Sequence, residues 1–243
     1  MPSLSIATVS AARQIERRDW ERLAPDGHPF LDADFFTLME QHETAGPACG
    51  WHAHHRVATN PDGAVVDLVP TYIKSNSHGD FVRDWSWAAA YQQLGKPYYP
   101  KLLSGVPHTP ASGPRFLVAS GADSDQVRTC LIEDIKSSVA ESRFSSWHVA
   151  LPAADEVELL RANGLLVSHD VQFHWRDHGY GDFDGYLAAF PSAKRRKVKA
   201  ERRRVGENGL TIEVRHGNEI APDEWPALYQ LYAATFDKYG NYA

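Results

Sequence analysis

The sequence predicts an α/β fold of the α+β type, arranged as two successive units. The predicted elements run strand, helix, helix and hairpin at the start of the chain. Asn60-Pro61-Asp62-Gly63 stands between two alternating segments, which is typical of a β-hairpin turn. The order strand, helix, helix, strand recurs from about Val171. We therefore expect a first unit over residues 1–168 and a second over 169–243.

Periodicity and turn residues predict each element of the first unit. The hairpin arms, Trp51–Thr59 and Ala64–Ile73, are expected to pair antiparallel. The other strands are predicted at Leu4–Val9, Phe116–Ala119 and Ser145–Leu151, and the helices at Ala12–Leu23, Asp32–Glu43, Asp123–Ser142 and Ala154–Asn163.

The second unit is predicted in the same way. Pro191-Ser192 indicates a helix start with Ser192 as the cap. Leu210–Arg215 is expected to lie in a different sheet region with fewer partner strands. The predicted elements are a strand at Leu165–Trp175, helices at Asp182–Phe190, Ser192 to about Glu207 and Pro222–Tyr239, and the strand at Leu210–Arg215.

Residues 74–115 carry many prolines, glycines and aromatic residues and show no regular period. This composition neither favours a helix nor suits a central strand. Long ordered loops of this kind often bind ligands or carry active-site residues. A rigid Pro-rich lid or a packing loop is the alternative interpretation.

Composition and motifs narrow the function further. The net charge is −6, and the chain shows neither a secretory leader nor an apolar run of membrane-spanning length, so we expect a cytoplasmic protein. Cys49 and Cys130 stand far apart and are expected to be reduced. His52, His54 and His55 lack partners at metal-ligand spacing, and no metal is expected. Motifs typical of hydrolases, P-loop NTPases and dinucleotide-binding proteins are absent.

Residues 194–204 hold eight Lys or Arg and one acid. At 100° per residue, five of these cations fall within roughly a 120° arc of the predicted helix. Like charges at this spacing repel each other, which favours an anion site for the phosphates of a nucleotide, a coenzyme or RNA. A solvated helix face is the alternative. The five are Arg195, Arg196, Lys199, Arg202 and Arg203.

Several segments together resemble a known family, and the resemblance covers nearly the whole chain. The segments are Pro29-Phe30-Leu31, Trp85 to Tyr91, Tyr98-Tyr99-Pro100-Lys101-Leu102, Thr109-Pro110 with Gly113-Pro114-Arg115, Gln172-Phe173-His174-Trp175, and Lys194-Arg195-Arg196-Lys197 with Glu201-Arg202-Arg203. They resemble the FemAB-like N-acyltransferases of the GNAT superfamily, a family connected with peptidoglycan biosynthesis or recognition. The sequence departs from the family pattern at Asn76, Asp80 and His108.

The resemblance implies tandem GNAT-like units, each with a mixed, mostly antiparallel sheet flanked by helices. It also implies that family members continue beyond Ala243, so that the second unit is expected to be incomplete. The apolar side chains of the last helix would then lack part of their cover and favour self-association. These side chains are Trp225, Leu228, Leu231 and Tyr232.

The activity that the resemblance implies is N-acyl transfer to an amine, with a cell-wall precursor as a candidate acceptor. The donor would be acyl-CoA or an aminoacyl-tRNA, bound without a tightly held cofactor. Such a reaction needs a base, donors for an oxyanion, and cations for phosphates. The alternative is a non-catalytic anion-binding or RNA-binding protein on a degenerate acyltransferase fold.

The candidate catalytic residues are His78, Asp80, Tyr99, His108 and His174. The candidate substrate-binding residues are Lys74, Trp87, Tyr98, Lys101, Thr109, Arg115, Gln172 and Trp175. We expect the irregular stretch and the basic helix to face one cleft.

Overall fold

The computed structural model describes residues 4–119, 121, 124–141 and 144–240. Asp123 and Ser142, the two ends of one predicted helix, lie outside these residues. The chain divides into two compact units, Met1–Asp170 and Val171–Ala243. That each of them is GNAT-like remains a prediction.

The first unit contains two four-stranded sheets and five α-helices among its described residues. The strand orders are β1-β3-β4-β7 and β2-β5-β6-β8. The strands are β1 Ser5–Val9, β2 Trp51–Ala53, β3 His55–Thr59, β4 Val65–Val69, β5 Thr71–Lys74, β6 Lys101–Ser104, β7 Leu117–Val118 and β8 Trp147–Val149, and the helices are α1 Arg17–Leu23, α2 Ala33–Gln41, α3 Trp85–Gln93, α4 Ser124–Glu141 and α5 Ala154–Ala162.

The hairpin prediction is confirmed. β3 pairs antiparallel with β4, and β2 pairs antiparallel with β5. The turn is closed by Asn60, whose backbone amide donates to Ala64 O and whose side chain accepts from Ala64 N at 2.8 Å. Each arm is divided near its middle, at His54 and at Pro70. Each arm therefore supplies one strand to each sheet.

The sheets lie between two layers of helices. Alternation along β3 and β4 places Val57 and Leu68 in a core with residues of α1 and α2. Their neighbours Ala58 and Val69 belong to a second core, which includes residues of α4 and α5. This alternation is what strand geometry requires, because successive side chains point to opposite faces. Both faces of the sheets are therefore covered.

Two predictions for the first unit are wrong. The helix predicted over Ala12–Leu23 is interrupted: a 3₁₀ turn at Ala12–Gln14 precedes α1. The stretch 74–115, predicted to lack a helix and a central strand, contains α3 and also β6. β6 lies between β5 and β8, antiparallel to the first and parallel to the second. Its pairing partners are distant in sequence, so the local composition gave no sign of them.

The described part of the second unit contains three α-helices: α6 Phe183–Ala188, α7 Ser192–Glu207 and α8 Trp225–Lys238. The bounds of α7 agree with the prediction, although Pro191 rather than Ser192 is the cap residue. The strands predicted at Leu165–Trp175 and Leu210–Arg215 are wrong, because neither segment forms a strand. Alternating residues specify a strand only where a partner supplies hydrogen bonds.

Large apolar side chains of the second unit are exposed. They include Phe173, Ile212 and Val214 in the extended segments, and Trp225, Leu228, Leu231 and Tyr232 in α8. The self-association expected from α8 remains a prediction. In the described part of the chain, no helix combines the length and the apolarity that crossing a membrane would require.

Candidate functional site

Two lysines face each other where β5 and β6 meet. Lys74 is the last residue of β5, Lys101 is the first residue of β6, and the two are directly paired in the antiparallel register. Both are fully buried. A buried ammonium group is costly unless it is paired and hydrogen-bonded. The surroundings of the two amines therefore determine their protonation.

Lys101 is neutralised by two buried carboxylates from the segment that follows β5. Its Nζ donates to Asp80 Oδ2 at 2.8 Å and also contacts Asp84 Oδ2. A third donation goes to Ser77 Oγ at 2.8 Å. Burial alone would raise the pKa of Asp84, but hydrogen bonds from Lys101 and Tyr98 lower it below its usual value. Asp84 is therefore ionised, and the amine of Lys101 is held on three sides.

Lys74 is in a different position. Its Nζ donates to His78 O at 3.1 Å and lies 3.6 Å from the centre of the Trp51 ring. No carboxylate of a described residue forms an ion pair with it. Burial, reinforced by repulsion from Lys101, lowers its pKa to about 7, although Asp80 acts in the opposite direction. Lys74 therefore exchanges a proton near neutral pH, which an ordinary lysine does not do.

Two tyrosines and a histidine border the buried charges. Tyr98 OH donates to Asp84 Oδ2 at 2.6 Å and lies 3.2 Å from His148 Nε2. Tyr99 OH and Ser77 Oγ share a hydrogen bond of 2.8 Å. Burial, with repulsion from Lys101, lowers the pKa of His148 to about 4. His148 is therefore neutral at pH 7.

Five of the predicted site residues meet in this cluster. Lys74, Asp80, Tyr98, Tyr99 and Lys101 lie together at the paired ends of β5 and β6 and in the segments beside them. We call them, together with Ser77, Asp84 and His148, the lysine-aspartate cluster. Lys101, Asp80 and Asp84 are buried and hydrogen-bonded to one another, so their geometry is fixed by the fold.

Four other predicted site residues of the first unit lie outside the lysine-aspartate cluster. His78 is exposed, and its ring lies against Trp85, 5.1 Å between centroids. His108 is exposed, and its Nε2 lies 3.0 Å from Thr44 O. Trp87 is exposed on α3, and Thr109 is half-buried. Among the described residues, no hydrogen bond or ion pair joins these side chains to the charged groups of the cluster, although burial and repulsion from Lys74 lower the pKa of His108.

Arg115 holds neighbouring loops together, and the ligand-binding role expected for it stays a prediction. Its guanidinium is buried and donates to the backbone oxygens of Pro114, Ala150, Leu151 and Ala111, at 3.1, 2.7 and 3.1 Å for the first three. Burial lowers its pKa to about 10, although Glu156 opposes the shift. A cation bonded to four carbonyls stabilises the segments that carry them.

The predicted residues of the second unit are exposed. His174 Nε2 and Gln172 Oε1 lie 2.8 Å apart, and the Trp175 ring stacks on Tyr180 with 6.3 Å between centroids. These contacts lie within the second unit and join residues close in sequence. The roles predicted for the three residues stay predictions.

More of the positive charge on α7 is paired with acidic side chains than the sequence indicates. Lys199 pairs with Asp184 of α6 at 2.7 Å, and Arg203 pairs with Glu207 at 3.3 Å. The guanidinium of Arg202 lies 4.2 Å from the Phe183 ring centre. Among the described residues, five cations of α7 have no ion pair. They are Lys194, Arg195, Arg196, Arg202 and Arg204.

Three members of the cluster were not predicted, namely Ser77, Asp84 and His148. Asp84 lies four residues after Asp80, directly before a Trp-rich segment. The spacing of Asp80 and Asp84 would have pointed to an ion pair with Lys101 only if α3 and β6 had been predicted. His148 lies on β8, which is parallel to β6, and sequence spacing gives no indication of that contact.

Comparison with known proteins identifies a family for this chain and no related curated protein. No curated protein matches the sequence significantly. One similar solved structure is the aminoglycoside 6′-N-acetyltransferase AAC(6′)-Ih from Acinetobacter baumannii, with 10% identity and a TM-score of 0.41 over 73% of this chain and 100% of that chain. Another is a ribosomal-protein-alanine N-acetyltransferase from Brucella melitensis biovar Abortus 2308, with 11% identity and a TM-score of 0.39 over 72% of this chain and 100% of that chain. Residues 11–243 match the FemAB-like family, described by peptidoglycan biosynthesis or recognition, and the chain belongs to that family.

Proposed function

We propose that the protein is an N-acyltransferase that moves an acyl or aminoacyl group onto an amine, with the lysine-aspartate cluster as its reaction centre. The observation that carries this proposal is the hydrogen-bonded series from Lys101 through Ser77 to Tyr99. A core needs no such series, since buried charges are costly and apolar residues of similar size pack at least as well. Membership of a peptidoglycan-related family supports the assignment.

The series makes Tyr99 a polarised donor. The ammonium of Lys101 can only donate, so Ser77 Oγ must accept from it. Either hydroxyl can be the donor in the bond between Ser77 and Tyr99, and the proposal requires that Ser77 donates its hydrogen to the Tyr99 oxygen. Hydrogen bonds in series strengthen one another, so the Tyr99 hydroxyl becomes a better donor to a third group. In acyl transfer, that group is the oxygen that becomes negative when the amine attacks the acyl carbon.

Lys74 is the group best matched to accept the proton of the attacking amine. A general base works best when its pKa lies near the working pH. The pKa of Lys74 is about 7, whereas that of His148 is about 4 and that of Asp84 lies below the usual value.

The donor is acyl-CoA or an aminoacyl-tRNA, and the acceptor is an amine of a cell-wall precursor in the cytoplasm. Both donors carry phosphates, and the unpaired cations of α7 are suited to bind them. The acceptor class follows from the family description, since peptidoglycan precursors carry amines.

The test is a transfer assay with the whole chain, each donor class and a set of amine acceptors, with the N-acylated product measured by mass spectrometry. Tyr99→Phe removes the polarised hydroxyl and is expected to lower kcat about 100-fold, the usual cost of losing one oxyanion donor. Tyr91→Phe is the matched control. The Tyr91 ring contacts Tyr98, 5.1 Å between centroids, but its hydroxyl forms no hydrogen bond with the described residues.

A Tyr99→Phe protein with unchanged turnover would contradict the role of the series. Absence of product from every donor and acceptor pair, with salt-dependent RNA binding instead, would favour the non-catalytic alternative.

A further inference from the structure

A groove of about 630 Å³ lies in the first unit, beside the lysine-aspartate cluster. It is bordered by the 3₁₀ turn Ala12–Gln14, by α2, by the 3₁₀ turn Pro47–Cys49 and by β2. Its volume is in the range of small-molecule sites. The residues that matter for its chemistry are Arg13, Glu40 and Trp51.

Glu40 brings an ionised carboxylate to this groove. Its Oε1 accepts from His55 Nε2 at 2.8 Å and from Tyr72 OH at 2.9 Å, and its Oε2 accepts from Ala12 N at 2.7 Å. Burial alone would raise the pKa of Glu40, but the donors from His55, Ala12 and Tyr72 lower it below the usual value. The side chain is 12% exposed, so the charge is held in a partly dry site.

The histidine bonded to Glu40 does not neutralise it. His55 Nδ1 accepts from the backbone amide of Thr71 at 3.1 Å, and an amide N–H can only donate. His55 Nδ1 therefore carries no proton, and the single ring proton lies on Nε2, toward Glu40. Among the described residues, no lysine or arginine forms an ion pair with Glu40, so the carboxylate is held by hydrogen bonds from His55, Tyr72 and Ala12.

Trp51, another residue that lines the groove, carries a hydrogen-bond donor without an acceptor in the described part of the chain. Trp51 is fully buried, and its Nε1–H has no hydrogen-bond partner among the described residues. A buried donor without an acceptor is rare in folded proteins and costs stability. The amine of Lys74 lies 3.6 Å from the centre of the Trp51 ring. Trp51 therefore contacts the lysine-aspartate cluster and also lines the groove.

We propose that this groove is a binding subsite for a primary amine, whose ammonium group pairs with Glu40 and whose neighbouring oxygen accepts from Trp51 Nε1. Ligands of this class carry an amine and a carbonyl close together, as amino acids and peptide ends do. Under the proposed function, on which this last step rests, the subsite holds part of the amine acceptor next to the reaction centre. The ammonium bound by Glu40 stays protonated and is not the attacking group.

The test measures binding of n-butylammonium and of glycinamide to the whole chain, with n-butanol as the neutral probe and no acyl donor present. Chemical shifts of the tryptophan indole N–H signals report binding, and Trp51→Phe identifies the signal of Trp51. Both amines are expected to bind, and n-butanol is expected not to bind. Glycinamide, which has the oxygen, is expected to move the Trp51 signal more than n-butylammonium does.

Two substitutions test the role of charge. Glu40→Gln keeps the shape of the side chain and removes the charge, and it is expected to weaken amine binding about tenfold or more. Glu141→Gln, at an exposed position on α4, is the control and should leave binding unchanged. Because Glu40→Gln could disturb folding, Arg13→Glu is the second variant. Arg13 is exposed at the groove, and this change is expected to strengthen amine binding about threefold.

Equal binding of n-butanol and n-butylammonium would overturn the proposal. Unchanged affinity in both Glu40→Gln and Arg13→Glu would overturn it as well. The result is separable from the transfer reaction, because binding is measured without a donor. Amine binding without acyl transfer would support the subsite and contradict the proposed function. Acyl transfer with a KM for the amine that Glu40→Gln leaves unchanged would support the proposed function and contradict the subsite.

Discussion

The two units use the same kinds of charged residue in opposite ways. In the first unit, the side chains of Lys101, Asp80 and Asp84 are 0, 1 and 2% exposed. In the second, the side chains of Lys199 and Arg203 on α7 are 56 and 71% exposed. Buried charges must be paired, so their positions are fixed and their pKa values shift. Exposed charges are screened by solvent and contribute mainly to long-range attraction.

The difference separates two tasks that acyl transfer requires. Proton movement and oxyanion binding need fixed groups with tuned pKa values, and the proposed function assigns these roles to the lysine-aspartate cluster. Attraction of a phosphate-bearing donor needs a field at the surface, and the proposed function assigns this role to α7.

The largest effect is expected from removing the central buried cation. Lys101→Met leaves Asp80 and Asp84 buried without their partner, and breaking a buried ion pair in this way costs about 3–5 kcal/mol of the free energy of unfolding. The matched control is Lys199→Met, which breaks the exposed pair with Asp184 and should hardly move the unfolding midpoint. Urea denaturation of the two variants measures the contrast, and equal midpoints would show that burial does not separate the two units.

A second large effect is expected from Asp67, a buried carboxyl of β4. Neither of its oxygens has a hydrogen-bond partner among the described residues, and burial raises its pKa to about 7. Because the folded protein keeps this proton up to higher pH than the unfolded chain does, stability falls as pH rises from about 4 to about 7 and is then constant. The loss is at most about 4 kcal/mol.

Asp67→Asn mimics the protonated carboxyl and should remove this part of the pH dependence, making the variant more stable than the parent at pH 8. Asp62→Asn, in the exposed hairpin turn, serves as the control. Thermal unfolding at pH 5 and pH 8 gives the comparison. A parent protein whose stability does not fall between these two values would show that Asp67 is paired in solution.

Lys74 gives an effect of similar size and opposite sign. Its folded pKa of about 7 lies below the usual value for lysine, so its contribution to stability increases as pH rises from about 7 to about 10. If Lys74 is the proton acceptor, the rate of acyl transfer should rise about tenfold from pH 6 to pH 8. Lys74→Met should flatten both profiles relative to the parent. Profiles of the same shape in the two proteins would assign the titration to another group.

The sequence predicted best what is decided locally. The hairpin depends on four turn residues, Asn60 to Gly63, and the bounds of α7 depend on Pro191 and on the length of the charged run. β6 was missed because its partners, β5 and β8, are selected by the tertiary fold. The same reason explains the strand wrongly predicted at Leu210–Arg215, where alternation is present and a partner strand is not.

The site could be predicted by residue type but not by arrangement. A stretch rich in Pro, Gly and aromatic residues is typical of ligand-binding loops, and this pattern points to Lys74, Asp80, Tyr99 and Lys101. The same pattern points to Arg115, whose guanidinium is bonded to backbone carbonyls away from that group. Which of these side chains are buried together, and which pKa values shift as a result, depends on packing over long sequence distances.

The smallest effect on stability, and a selective effect on binding, is expected for the exposed cations of α7. Arg195, Arg196 and Arg202 have no ion pair among the described residues, so replacing all three with alanine removes charge without leaving a buried partner. Binding of a phosphate-bearing probe, either tRNA or coenzyme A, should weaken, and the dependence of its affinity on salt should fall by about two to three counterions. The unfolding midpoint should stay where it is. Replacing Lys197 and Lys199, which have acidic partners, should change the salt dependence less. If instead the triple variant binds the probe with the same salt dependence as the parent, α7 is a solvated helix face, and donor phosphates must be bound elsewhere.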